Sequence, residues 1–427
     1  MPANRCRETC YSEETLENAF VRGGFSHEGT KGARKQEDCT ECSEPQKRKN
    51  RYQRFCLGVL SLIFLCLCVT FDCVFTRRPA MRDKILEALR KVIDPEINKD
   101  IVSLNMVGDI AVSDDTIKVR INLTTPACPL RNVIKQDAYK ALSEAFPEKR
   151  IEVEMGASVV SGRREAKKER LPGVKNIIAV GAGKGGVGKS TVAVNLAIAL
   201  AQSGTKVGLL DADLYGPSIP IMLGLQGQAP FAIEDKIAPI EKFGLKVFSI
   251  GFLIKSSDAV AWRGPLLHKA IQQFLEDVAW GELDYMVVDL PPGTGDVQLS
   301  LAQLVPVTSA VVVTTPQDVA FADVLRAIRM FELTKVPVLG IVENMAYFVC
   351  NKCSTVHYLF GQGRVKDESQ KRGLGYLGAV PLDPSVSPLA DQGKPVVVSA
   401  PDSESARAFL EIASRVASRQ SVVALTV

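Results

Sequence analysis

The run Gly183-Lys184-Gly185-Gly186-Val187-Gly188-Lys189-Ser190 constrains this chain more than any other feature, because it fits G-x-x-x-x-G-K-[ST]. The apolar pattern NIIAVGA stands directly before it, and the helical pattern STVAVNLAIALAQSG directly after. A glycine-rich turn without a ligand has no need of a strand on one side and a helix on the other. With both in place the run reads as a phosphate cradle. Glycines let the backbone curl until its N–H groups point inward, and the helix N-terminus adds its own partial positive charge. Lys189 is then placed to neutralise β- and γ-phosphate charge, and Ser190 to ligate Mg2+. From residue 175 onward, apolar strand patterns alternate with helical ones: KVGLLDAD, YMVVDLPP, SAVVVTTP and VPVLGIVENM follow the first. Continuous apolar runs indicate strands covered on both faces, so the expected fold is α/β, with a mostly parallel sheet between helix layers.

A magnesium shell needs a carboxylate. Asp289 ends the run YMVVD, and an acid closing a buried strand requires a partner. The turn Pro291-Pro292-Gly293-Thr294-Gly295-Asp296 follows, where it would sense the γ-phosphate. Asp211 and Asp213 end KVGLLDAD, a second place from which a carboxylate would orient or deprotonate the attacking water. Taken singly, Asp211 or Asp296 equally fits a helix cap or a turn. Lys184 would add a second cation beside the phosphates and stabilise transition-state charge. Its competing reading is a solvent-exposed loop lysine.

A chain of 427 residues implies two or three units. Residues 1–80 form an extension. Its first part, 1–54, has a disorder-prone composition and ends in a basic run. The uncharged run FCLGVLSLIFLCLCVTF at 55–71 is just long enough for a bilayer span if helical. Three readings of it compete: a membrane anchor, part of an organelle-targeting extension, or sequence upstream of a start at Met81. Residues 81–160 read as a small α/β domain, with a helix over 81–93, strands at 101–111 and 117–124, a helix near 130–145 and a strand from 151. Residues 161–172 are charged and lack apolar period, as a linker would. The ATPase body is then 173–427, closed by a helical pattern over 403–419.

Eight of the 11 cysteines precede residue 74, so the body is poor in cysteine and needs no disulfides. This suits a reducing, cytoplasmic setting, in which a close thiol pair is a metal site more often than a bridge. Cys350-Asn351-Lys352-Cys353 is the one C-x-x-C in the body. Two thiolates are half the shell of an iron–sulfur cluster or a structural zinc. A symmetric dimer completes it, with a [4Fe–4S] cluster on the twofold axis. A redox dithiol, a bridged zinc and an incidental pair are the alternatives; His357 lies near enough to be considered as a further ligand, although a lone histidine in a polar loop is more often merely solvated. Cys128, at a predicted helix start where thiolate is favoured, either handles a cluster or persulfide transiently or is a small buried residue. Cys39-Thr40-Glu41-Cys42 is given no role.

Together these residues resemble the Mrp/ApbC family of cluster carriers, within the MinD/ParA-like deviant P-loop ATPases. The similarity covers nearly everything from Met81. It is carried by Gly183–Thr191 (GKGGVGKST), Asp211–Ser218 (DADLYGPS), Arg263-Gly264-Pro265, Asp289–Asp296 (DLPPGTGD), Thr314–Gln317 (TTPQ), and Glu343–Met345 with Cys350 and Cys353. The first domain resembles the small MIP18-like domain fused to such carriers, through Asp94-Pro95-Glu96 and Thr125–Pro129. The resemblance implies that Lys184 reaches into a partner's nucleotide site, that Asp213 positions water and that Asn344 contacts adenine. It also implies that Cys350 and Cys353 hold a bridging cluster, delivered by a donor and passed to apo iron–sulfur proteins. The cofactors would be ATP, Mg2+ and the cluster.

Other P-loop classes fit less well. Net charge is +4 with no Lys/Arg stripe, against a nucleic-acid partner. The ending SVVALTV is not the basic amphipathic helix of a positioning ATPase. A MinD/ParA-like regulatory ATPase without a cluster is the alternative from another class.

Overall fold

The computed structural model describes residues 77–426 except 164–170, 214, 215, 234, 253–270 and 294. The hydrophobic run 55–71, the expected disordered segment, Cys39 and Cys42, and Arg263-Gly264-Pro265 lie outside the described residues.

The small domain begins with helix α1 (Arg77–Leu89). Strands β1 (Val107–Val112) and β2 (Thr116–Leu123) pair antiparallel, and β2 pairs in parallel with β3 (Arg150–Ala157) after helix α2 (Arg131–Ala145). Strand β2 alternates as its sequence TIKVRINL demands. Ile117, Val119, Ile121 and Leu123 turn to the core, while Lys118 and Arg120 face out. Ile85, Leu89, Ile134 and Leu142 cover them from the helices. Each such buried aliphatic side chain contributes roughly 1.5–3 kcal/mol. The strand expected at 101–111 is shorter than its apolar residues suggest. Ile101–Asn105 is a run of turns, because the Asp100 carboxylate accepts the N–H groups of Val102 at 3.1 Å and Ser103 at 2.8 Å. Ile101 is still fully buried.

In the larger part, β4 (Val174–Ala182) runs into the glycine loop and helix α3 (Lys189–Gln202). Strands β5 (Val207–Asp211), β6 (Ile240–Lys242), β7 (Leu245–Ser249), β8 (Leu283–Asp289), β9 (Ser309–Thr314) and β10 (Val338–Glu343) follow. After a small hairpin of β11 (Phe348–Val349) and β12 (Val356–His357) comes β13 (Tyr376–Ala379). Among the described residues the sheet order is β6-β7-β5-β8-β4-β9-β10-β13, and only the edge pair β6–β7 is antiparallel. Helix α3 and the C-terminal helix α6 (Glu404–Thr426) cover one face. Helices α4 (Asp296–Leu304) and α5 (Asp318–Leu333) cover the other. This is the expected parallel sheet between helix layers.

Helix α6 runs beyond the predicted end at 419. It also fastens the small domain to the sheet. Ser414 Oγ donates to the Ala127 carbonyl at 2.6 Å, and the Ser418 hydroxyl meets the Glu96 carboxylate. The fully buried Tyr285 of β8 hydrogen-bonds Thr125 Oγ1 at 3.3 Å. Beneath α6, Gln420 Nε2 donates to Asn176 Oδ1 at 2.9 Å, an oxygen that also accepts the N–H of Gly162 in the expected linker.

Candidate functional site

The phosphate loop is shaped by glycines where other residues would not fit. Gly186 and Gly188 both hold φ at +81°, a left-handed conformation costly for side-chain-bearing residues. At Gly183 a Cβ would lie 2.3 Å from the Asp323 carbonyl oxygen, so close approach to α5 requires glycine there. Val187 points inward and is 2% exposed, which anchors the loop to the core. The loop borders a cleft of about 510 Å³ whose lining includes Lys184, Gly185, Lys189, Thr191 and Asn344, together with Val380–Asp383.

Register brings the carboxylates together. Parallel pairing of β5 with β8 sets Asp211 opposite Asp289 at the sheet's C-terminal end. Lys189 Nζ donates to Asp289 Oδ1 at 2.6 Å and lies 3.5 Å from Asp213 Oδ2. Ser190 Oγ donates to Asp289 Oδ2 at 2.6 Å. Asp289 and Asp211 are fully buried. Burial pushes the Asp289 carboxyl above its ordinary value, against the opposing pull of Lys189. Burial, with the neighbouring Asp289 charge, raises Asp211 to about 8. Asp211 is occupied structurally: its carboxylate accepts Ser249 Oγ at 2.9 Å and the Asp213 N–H at 3.1 Å. Asp213 differs, for its Oδ1 is buried without a hydrogen-bond partner among the described residues. With Asp211 taken up by Ser249 and the Asp213 N–H, the Ser190 hydroxyl and the carboxylates of Asp289 and Asp213, one oxygen of the latter unpartnered among the described residues, are the hard-oxygen donors that fit Mg2+.

Asn344 follows β10 directly. Its Nδ2 donates to the Val187 carbonyl at 2.9 Å, so in this arrangement the side chain braces the loop from within the cleft lining. Lys184 is half-buried on the cleft rim, and no ion pair forms to it among the described residues.

The thiol pair sits at the tip of the β11–β12 hairpin. The Cys350 N–H donates to the Thr355 carbonyl at 3.0 Å, and the Ser354 N–H to the Cys350 carbonyl at 2.8 Å. Cys350 is half-buried and Cys353 exposed, and both are free thiols. Cys353 Sγ lies 3.2 Å from Thr355 Oγ1, and hydrogen bonding to Thr355 holds the Cys353 thiol below its ordinary value. Among the described residues no group of three or more His, Cys, Asp or Glu is arranged to hold a metal ion. His357 therefore does not extend the pair into a three-ligand site, and its ring instead lies 6.3 Å from that of Phe348. Cys128 reverses the expectation of a favoured thiolate. It is partly buried against the Asp94 and Glu96 carboxylates, and burial first, then those charges, push its thiol up to about 11. Sequence reading did not find Ser249 or Thr355. Ser249 has no motif and is brought to Asp211 only by β7–β5 register, whereas Thr355 stands two residues past the C-x-x-C and was within reach.

Two family models match the chain. One, described as NUBPL iron-transfer P-loop NTPase, matches residues 173–417. The other, described as iron-sulfur cluster assembly protein, matches residues 82–155. The chain belongs to the NUBPL iron-transfer P-loop NTPase family. Among its relatives, an iron-sulfur cluster carrier protein of Deinococcus radiodurans is 52% identical over 81% of this chain and 97% of its own length. One of the same description from Synechocystis is 47% identical over 80% of this chain and 99% of its own. The iron-sulfur cluster transfer protein NUBPL of Dictyostelium discoideum is 44% identical over 62% of this chain and 83% of its own. Membership agrees with the resemblance carried by the loop, the two Asp-ended strands and the thiol pair.

Proposed function

We propose that this chain carries [4Fe–4S] clusters to apo iron–sulfur proteins, in a cycle driven by ATP binding and hydrolysis. The observation that carries the reading is a free thiol pair displayed on a hairpin that grows from the strand ending beside the phosphate loop. Two thiolates are half of what a [4Fe–4S] cargo requires. A second copy supplies the other half, and the surface beside the thiols suits one: Val356, Tyr358, Leu359 and Phe360 are 45%, 45%, 57% and 40% exposed. A homodimer with the cluster on its axis buries this apolar strip and shields the cargo until transfer.

At the other site, arriving triphosphate competes for Lys189. The ammonium leaves Asp289 for the β- and γ-phosphates, which frees Asp289 and Ser190 to face the cation site. Ser190 and Asp289 would hold Mg2+, which supplies charge neutralisation of the phosphates when bound. Asp213, with one oxygen unpartnered, orients the attacking water. Lys184 reaches across the dimer to the partner's phosphates, and Asn344 turns to the adenine. Such a cycle suits the cytoplasm, where thiols stay reduced. Among the described residues no helix is long and apolar enough to cross a membrane.

Anoxic reconstitution with iron and sulfide tests the reading. Expected is a brown dimer that transfers its cluster to an apo-acceptor in an ATP-dependent manner, a colourless Cys350→Ala, and a Lys189→Ala in which transfer no longer responds to ATP. A colourless wild-type dimer, or an iron-bound monomer, would overturn it.

A further inference from the structure

The segment 344–347 belongs to two sites at once. At one end the Asn344 N–H donates to the Thr314 carbonyl at 2.8 Å, and its side chain to Val187 in the phosphate loop at 2.9 Å. That contact is tight: a Cβ on Gly188 would lie 2.2 Å from Asn344 Nδ2. The Asn344 side chain is thus packed directly on the backbone of the phosphate loop. Met345 comes next with φ at +55°, in the left-handed region that side-chain-bearing residues seldom occupy. Beyond it the chain is stitched to 380–382, the neighbouring segment of the cleft lining. The Ala346 N–H donates to the Val380 carbonyl at 2.9 Å, and the Leu382 N–H to the Tyr347 carbonyl at 2.6 Å. Val380 and Leu382 line the nucleotide cleft. Cys350 lies three residues past Tyr347. Four residues thus connect phosphate loop, cleft wall and thiol hairpin without an intervening flexible stretch.

We propose that Asn344 and Met345 are positioning residues that couple occupancy of the nucleotide cleft to the posture of the Cys350–Cys353 hairpin. Coupling between distant sites requires an element with two arrangements that both sites bias. The Asn344 amide is such an element, since it can be given to the Val187 carbonyl or to a ligand in the cleft. The left-handed turn at Met345 converts that exchange into a change of direction for the hairpin root. By linkage, thiols held in a cluster bias the amide in return. The inference rests on the reading of the cleft as a nucleotide site, and the experiment separates the two.

The test uses the full chain, metal-free and anoxic. Alkylation rates of Cys350 and Cys353 by iodoacetamide are read by mass spectrometry, with and without saturating Mg·ADP or a non-hydrolysable ATP analogue. Nucleotide binding is measured in parallel by equilibrium dialysis. In wild type, saturating nucleotide is expected to change the Cys350 rate by about fivefold or more, the low end of ordinary couplings. In Met345→Gly, which relieves the backbone rather than straining it, the change should fall below about twofold with nucleotide still bound. Asn344→Ala, compared at nucleotide concentrations at which dialysis shows it loaded, should give the same rate with and without nucleotide. A wild-type rate indifferent to bound nucleotide, or a full response in both variants, overturns the coupling. Wild type that binds no nucleotide at all overturns the ATPase reading itself, and the coupling with it.

Discussion

Replacing Lys189 by methionine keeps most of the side-chain stem and removes the ammonium that faces the buried carboxylates. Lys189 Nζ lies 2.6 Å from Asp289 Oδ1 and 3.5 Å from Asp213 Oδ2. At an effective dielectric of about 20 the closer contact is worth roughly 6 kcal/mol before desolvation, which offsets most of it. The loss on truncation also has a ceiling, because a carboxylate deprived of its cation can bind a proton. That escape costs ~1.4 kcal/mol per pH unit between the ordinary aspartate value of 3.8 and the assay pH. At pH 7.5 the ceiling is about 5 kcal/mol. Burial already holds Asp289 above its ordinary value with the lysine in place, so part of that cost is present in wild type. A destabilisation of about 2–3 kcal/mol at pH 7.5 is expected. The sign of the pH dependence follows. Without Lys189 the variant takes up a proton at Asp289 on folding that wild type does not, so acidification favours the variant, and the deficit shrinks by up to ~1.4 kcal/mol per pH unit. Urea denaturation at about pH 5.5, 6.5 and 7.5 without nucleotide reads it, and added Mg2+ should restore part of the loss. Equal stability at the highest pH, or a deficit that widens on acidification, would refute the account of Lys189 as countercharge.

Other substitutions probe single contacts. Asp211 sits at about 8 against an ordinary 3.8, so its stabilising effect is complete below the lower value and lost as pH rises towards the upper. Thermal melts should therefore show Asp211→Asn more stable than wild type at alkaline pH by about 1–3 kcal/mol, an advantage that fades on acidification; one that grows instead would sink the assignment. Gly188→Ala combines a left-handed φ of +81° with a Cβ 2.2 Å from Asn344 Nδ2. It should cost at least about 1–2 kcal/mol and abolish nucleotide binding, and unaltered affinity in dialysis would contradict the close packing. Iodoacetamide near neutral pH should modify exposed Cys353 at least about 100-fold faster than Cys128, whose thiol is pushed up to about 11; comparable rates would disprove the burial of Cys128. Leu359→Ser with Phe360→Ser should leave the metal-free chain folded and weaken the cluster-loaded dimer in anoxic light scattering, and an undiminished dimer would remove the apolar strip from the interface.

The parallel sheet was legible because strands buried on both faces spell uninterrupted apolar runs, as NIIAVGA and YMVVD do. The phosphate loop was legible because backbone curvature requires glycine at fixed positions. Elements at the sheet margins were not. Strands β6, β7 and β13 are short, and Glu241, Lys246 or Gly378 interrupts their apolar character. At 101–111 the apolar residues were real core residues, but Asp100 captured the local N–H groups and turned the chain before a strand could form. The convergence of Asp211, Asp289 and Lys189 followed from where strands end. The partners that decide their protonation follow from register, which composition does not reveal. Cys128 shows the same limit: its place before a helix argued for a thiolate, whereas its carboxylate neighbours come from a turn more than thirty residues earlier.

Helix α6 has a consequence for the order in which the molecule can be assembled. The small domain is complete in sequence at Ala157, yet the serines that hold it come only with α6 at Glu404–Thr426. Roughly 250 residues must be translated between the two, which at 5–20 residues per second takes about 12–50 s. Throughout that interval Glu96 and the Ala127 carbonyl wait for their α6 serines, and Tyr285 of β8 is the earlier hydrogen-bond partner of this face. Newly made protein thus passes through a phase in which this face can be met by chaperones or by other molecules, and the arrival of one helix closes it.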